Sequence, residues 1–260
     1  MTPYQKWTSF YTIVRKDVVR IVRIWPQTLL PSVITSALYF AIFGSVLGSR
    51  IGDMQGVDYM TFVVPGLVML AIVTTSYANT SFTFFASKFF ARNIEEILVS
   101  PTSPALMIAG FVAGGVVRGF MSGILVLLVS IFFTGLTLAP HNLLIIFLFA
   151  LLTTLIFSLA GLVNGIYAKS IDGINIVPTF VLTPLVYLGG VFYSIQALPP
   201  LVQTLSHVNP VFFLVNGFRY GFLGISDVSI VLSVSILIGM TAILVGINWY
   251  LIRTGLGLKQ

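Results

Sequence analysis

From Gly119 to Ala168 the chain carries no Lys, Arg, Asp or Glu, and this run constrains the fold more than any other feature. One bilayer crossing takes about 20 apolar residues of helix, so the run must hold two. Gly135 and the sequence Ala139-Pro140-His141-Asn142 supply the turn between them. Charged residues make up 8% of the 260-residue chain, against about 25% of an average soluble domain. That leaves no room for a soluble domain, and the chain reads as an all-α integral membrane protein.

Charge-free length predicts six spans, near Pro26–Leu47, Tyr59–Thr80, Ala105–Thr134, Asn142–Tyr167, Ile174–Tyr193 and Val228–Ile252. Five basic residues precede the first apolar run, Ile24 to Ser49, which is longer than a signal-peptide core, so a permanent span is expected there. With the N-terminus in the cytoplasm, that side receives Lys6, Arg15, Lys16, Arg20, Arg23, Lys88, Arg92, Lys169, Arg253 and Lys259. The opposite side receives only Arg50 and Arg219, and Arg118 falls within a span. Lys and Arg collect on cytoplasmic loops, so both termini are expected inside. Basic residues that flank apolar runs do not form the clustered solvated face that nucleic acid needs. The chain has no cysteine, which excludes disulfides and thiolate chemistry.

Before the first span, Trp7, Tyr11, Val14, Val18, Ile21 and Val22 share one helical face, with Lys16, Arg20 and Arg23 opposite. Residues 1–23 are therefore expected to form an interfacial helix on the cytoplasmic leaflet, either as an anchor or as a dock for a partner. In the third span, Gly110, Gly114, Gly115, Gly119 and Gly123 form small-xxx-small pairs that serve close helix packing, within the subunit or across a dimer interface.

The stretch from Gly173 to Gly221 is broken by Pro178, Pro184, Gly189-Gly190, Pro199-Pro200 and Pro210. It is too long for one span, and the run from Val208 to Phe218 is too short for a second. A fifth span followed by an outer re-entrant segment fits better. Broken helix at membrane depth is tolerated where it is packed in protein or lines a polar cavity, which points to a transport path.

Catalytic material is sparse. His141 and His207 belong to no H-E-x-x-H pattern, a G-x-S-x-G elbow is missing, and all seven acidic residues lie outside the predicted spans. No catalytic residue and no metal site are expected. A phosphate-binding loop needs a Gly-Lys pair, which the sequence lacks, so any ATP hydrolysis belongs to another chain. An inverted repeat of the secondary-carrier kind is not apparent. Arg118 is an intramembrane cation and hence a candidate functional residue. Its partners must be carbonyls, hydroxyls, lipid phosphate or substrate.

The longest polar interruption on the cytoplasmic side runs from Phe84 to Pro104. Lys88, Arg92 and Glu96 follow at four-residue spacing, and Pro101 and Pro104 stop the helix. The pattern reads as a solvated loop, or as a short helix that fits a socket on a cytoplasmic partner. Within it, Asn93-Ile94-Glu95-Glu96-Ile97-Leu98-Val99-Ser100-Pro101 resembles the coupling-helix signature of type 2 ATP-binding-cassette (ABC) exporter permeases. His207-Val208-Asn209-Pro210 followed by Gly217-Phe218-Arg219-Tyr220-Gly221 resembles the Asn-Pro and downstream Arg that precede the last span in that family.

The resemblance implies a single permease domain over residues 1–260, with an interfacial helix (1–23), a coupling loop (81–104) and a re-entrant segment (194–227) folded as two outer half-helices. It implies that Arg92, Asn93, Ile94, Glu95, Glu96, Ile97 and Leu98 form the coupling helix, and that Asn209, Pro210 and Arg219 belong to the re-entrant motif. It further implies two copies of this chain working with two copies of a cytoplasmic ABC ATPase, which binds ATP and Mg, in the bacterial inner membrane. The path would lie at the subunit interface, with Tyr39, Arg118, Tyr187, Phe192 and Tyr193 as candidate substrate-path residues. The cargo would be lipid-like, glycan or drug-like. The competing class is an ATP-independent channel or lipid scramblase; an intramembrane lipid enzyme would need a nucleophile or acid–base pair that the sequence does not offer.

Overall fold

The computed structural model of the chain describes residues 2–43, 52–91, 93–135 and 140–257. Ten helices account for most of them: α1 Pro3–Arg23, α2 Trp25–Ile42, α3 Tyr59–Phe89, α4 Asn93–Val99, α5 Pro104–Thr134, α6 Leu143–Tyr167, α7 Ile171–Tyr187, α8 Pro200–Val208, α9 Pro210–Leu223 and α10 Ile230–Thr254. Two short strands, β1 Asp53–Met54 and β2 Val57–Asp58, pair as an antiparallel hairpin before α3.

Among the described residues, four helices, α3, α5, α6 and α10, are long and apolar enough to cross a membrane. α3 is the central one, with 78% of its most apolar window buried against 11% for α10. The expected first span continues to Leu47, outside the described residues, and the 18-residue α2 covers it as far as Ile42. α7 stops at Tyr187 rather than at the expected Tyr193, because Leu188 and Gly189 close a tight turn and Gly190 takes a left-handed conformation, φ +74°, which glycine adopts without a Cβ penalty.

α3 and α5 each span 31 residues, about 46 Å of helix, against a hydrocarbon core of about 30 Å. α3 therefore does not stop near Thr80 but continues to Phe89. Phe84 and Phe85 are buried, Phe84 meets Phe111 edge-on at 5.1 Å, and the extended helix keeps both inside. Lys88, expected on a solvated loop, is buried in the last turn. Its ammonium donates to the carbonyls of Ile166, at the end of α6, and Gly257, where a cation meets the negative end of a helix dipole.

All five glycines of α5 are used within the subunit. Ile13 and Asp17 of α1 lie against Gly110 and Gly114, while Gly115, Gly119 and Gly123 receive Thr80, Ser76 and Ile72 of α3, with Ser158 and Thr154 of α6 beside the first two. Small residues let the helix backbones approach this closely. α1 is thus seated on α5 rather than resting free on a leaflet. Its buried ridge is Asp17 and Ile21, and Trp7, Tyr11 and Val22 face outward.

α7 contains Pro178 and Pro184, and the helix widens to a π-turn over Pro178–Leu182, in which the Thr183 amide bonds the Pro178 carbonyl. Pro178 has no N–H for the Ile174 carbonyl one turn earlier. The Asn164 side chain of α6 donates to that carbonyl at 2.9 Å instead. In hydrocarbon such a repair decides whether a broken helix is tolerated.

Candidate functional site

Three groups of polar and aromatic side chains stand out, one at each end of the bundle and one between. At the first end, α4 bridges α3 and α5. Ile94 is buried against Phe84, Met107 and Phe111, and Ile97 is half-buried in the same cluster. Glu95, Glu96, Leu98 and Val99 face outward, with Val99 88% exposed. Arg92 lies outside the described residues. A seven-residue helix is too short to be stable alone; the buried isoleucines and the rigid flanking helices hold it. Its outer face then pairs two carboxylates with two apolar side chains. Beside it a cavity of about 620 Å³ opens toward α1, lined among others by Thr12, Lys16, Phe82, Phe90, Glu96 and Phe111.

The second group lies where α1 crosses α3 and α5. Asp17, 3% exposed, forms an ion pair with Arg20 and accepts hydrogen bonds from Asn79 at 2.8 Å and Thr83 at 3.2 Å. Arg20 also donates to Asn79 and Thr83. Arg118 completes the group, donating to the Thr28 carbonyl at 2.9 Å and reaching Asn79 at 3.5 Å. A buried carboxylate is tolerable because paired and hydrogen-bonded charges offset much of the desolvation cost. Arg118 thus binds a carbonyl and a side-chain amide, as expected for a cation with no acid in its own span. Asp17 was not singled out by the sequence. The available signal was that it is the sole acidic residue before Asp53, set between Lys16 and Arg20.

The third group closes the opposite end. Tyr39, Phe43, Tyr187 and Phe192 form one aromatic cluster, with Tyr39–Phe192 at 5.3 Å, Phe43–Phe192 at 5.2 Å and Tyr187–Phe192 at 5.9 Å between ring centres. The Tyr193 hydroxyl donates to the Tyr187 carbonyl at 2.6 Å. Four of the five proposed path residues therefore come together; Arg118 stands apart, in the second group. α8 and α9 meet at Asn209. Its side chain caps α9 by accepting from the Val211 amide at 2.9 Å, and donates to the Leu185 carbonyl of α7. Pro210 occupies the first turn of α9, where its missing N–H costs nothing.

α9 runs antiparallel to α6, since Gly217 packs on Phe149 and Gly221 on Ile146. Its start accordingly lies deeper in the bundle than its end, which reaches the Asn142 amide through the Gly221 carbonyl. Arg219, 3% exposed, donates to the Gly190 carbonyl at 2.7 Å and lies 3.9 Å from the centre of the Phe62 ring. A knot of amides covers this end. Gln55, at the hairpin tip with φ 53°, donates to Ser194 at 2.9 Å and Asp227 at 2.8 Å. Asp227 also accepts from Gln196, and Asn216 holds the Asp227 amide and the Val228 carbonyl.

Most of this arrangement, from within α1 to the end of α9, falls within one family match: residues 8–223 fit the ABC-2 type transporter model. The chain belongs to that family. It is 51% identical over 254 residues to the inner membrane transport permease YadH of Escherichia coli K12, covering 98% of each chain. More distant relatives are the nodulation protein J of Neorhizobium galegae, 25% identical over 83% of this chain and 82% of that one, and of Rhizobium leguminosarum bv. viciae, 23% identical over 82% and 83%. Membership makes the chain a membrane permease, and the match begins within α1, so the ionic cluster belongs to the region that the family shares.

Proposed function

We propose that the chain is the membrane-spanning subunit of an ATP-driven exporter in a bacterial inner membrane. The observation that carries this reading is α4, a short helix clamped between the ends of the two longest helices and turned outward through Glu95, Glu96, Leu98 and Val99. Two copies of the chain would pair with two ATPase chains that bind ATP and Mg. α2 and α7, shorter than the other four, would complete six spans, and both termini would face the cytoplasm on the side of α4. The ATPase would grip α4 on closing, and the cavity beside it leaves room for α4 to move toward α1. α3 and α5, each a continuous rod from α4 to the far end, would carry the displacement outward.

The path would run between the two copies, with Tyr39, Tyr187, Phe192 and Tyr193 at its outer end. α8 and α9 would form a re-entrant pair that shields that end from water, Asn209 marking its deepest point. Cargo with apolar and ring-bearing parts suits an aromatic constriction; lipid-like, glycan and drug-like molecules all meet that description.

Coexpression with a candidate ABC ATPase from the same genome tests the reading. The two chains should copurify, and vesicle transport should require ATP. If the chain never retains an ATPase and transport proceeds without ATP, the channel or scramblase reading replaces this one.

A further inference from the structure

Two ridges of α1, Tyr11–Arg15–Val19–Arg23 and Thr12–Lys16–Arg20, enclose a groove of about 490 Å³ that ends at Ile24. It holds four cations, and Asp17, the acid that adjoins them, is already engaged by Arg20, Asn79 and Thr83. Among the described residues, Arg15, Lys16 and Arg23 form no ion pair. Arg20 and Arg23 gain from the C-terminal end of the α1 dipole, but Arg15 and Lys16 lie too far from it to benefit. Burial pushes the Lys16 ammonium below the usual lysine range, with Arg20 adding to the effect, although Asp17 works against it. Neighbouring cations, one of them partly desolvated, make a site short of an anion.

Directly after the groove the chain enters α2, where Leu30, Ile34, Leu38 and Ile42 are exposed at four-residue spacing. Basic groove followed by apolar stripe is the division of a phospholipid into headgroup and acyl chain. We propose that α1 binds an anionic phospholipid of the cytoplasmic leaflet, its phosphate held by Arg15, Lys16 and Arg23 and its acyl chains laid along α2. Arginine suits this role because its planar fork bonds phosphate oxygens in pairs. Lys16 and Arg20 also line the cavity beside α4, so the bound lipid stiffens the wall that α4 faces. The inference rests on the membrane placement of α1 and α2 but not on ATP-driven transport.

The test is lipid retention by the purified full-length chain without an ATPase, read by native mass spectrometry with phosphatidylglycerol and phosphatidylcholine supplied equally. The chain should retain phosphatidylglycerol preferentially. The triple variant R15Q/K16Q/R23Q should lose about a hundredfold in that affinity, and Lys6→Gln, outside the groove, should lose none. R15Q alone, at an exposed position, should lose about fivefold and serves if the triple variant does not fold. Equal retention of both lipids, unchanged retention by R15Q, or displacement of the lipid by millimolar inorganic phosphate would each overturn the proposal. Failure of transport with lipid binding intact would count against the exporter reading alone.

Discussion

Asp17 and Arg20 show how a charged pair can be placed at the seam of three helices. Asp17→Ala leaves Arg20 and Arg118 close together without an anion, and breaking a buried pair from one side costs about 3–5 kcal/mol. Arg20 retains some solvent access, which places the expected loss at the lower end of that range. The double variant D17A/R20A should recover part of the lost thermal stability; if it is less stable than D17A, the pair is not what holds α1. Arg219→Lys keeps the charge of the outer group but cannot lay a planar cation on Phe62 while bonding Gly190, so a loss of about 1–2 kcal/mol is expected. The sequence marked Arg118 because a cation inside an apolar run is conspicuous, and Arg219 through the family motif that its surroundings resemble. It did not mark Asn79, Thr83, Gln55 or Asn216, because polar residues in a helix or turn look alike until their distant partners are known.

At the level of elements, α4 separates two kinds of position. Glu95→Ala or Val99→Asp should weaken copurification of the ATPase and leave the thermal midpoint of the permease nearly unchanged, since both side chains face outward. Ile94→Asp should lower the midpoint itself, because it places an unpaired charge in an apolar cluster. Equal effects at inner and outer positions would remove the docking role. α7 offers a second test. Asn164→Ala orphans the Ile174 carbonyl and should cost about 1–3 kcal/mol, whereas Asn164→Ala combined with Pro178→Ala restores a backbone donor and should recover much of it. Chemical denaturation of the four proteins measures the coupling directly. Helix existence followed from apolar length and from Pro and Gly, which act locally. The ends of α3 and α7 did not, because Phe84, Phe85 and Gly190 owe their conformations to contacts far away in sequence.

Across the whole molecule, charge distribution and composition predicted an all-helical membrane chain, and the coupling-helix and Asn-Pro motifs pointed to the family that the chain-wide match then showed. What composition does not convey is how the two ends are tied: Lys88 binds α6 and the C-terminal segment at one end, and Gln55 joins Asp227 at the other. Since the chain has no cysteine, single cysteines introduced at Gln196 and Val99 report cleanly on each end. The proposed topology predicts that an impermeant maleimide added outside the cell labels Gln196→Cys and not Val99→Cys; the reverse result would invert the topology.

The seat of α1 also sets a timetable. Gly110, Gly114 and Arg118, against which Ile13, Asp17 and the Thr28 carbonyl come to rest, are translated roughly 100 residues later, about 5–20 s at ordinary ribosomal rates. During that interval the first helix must wait with its carboxylate in the headgroup layer and its basic groove open. A chain stalled before α5 is made would therefore expose an unseated amphipathic helix, a feature by which quality-control proteases could distinguish an unfinished permease from a complete one.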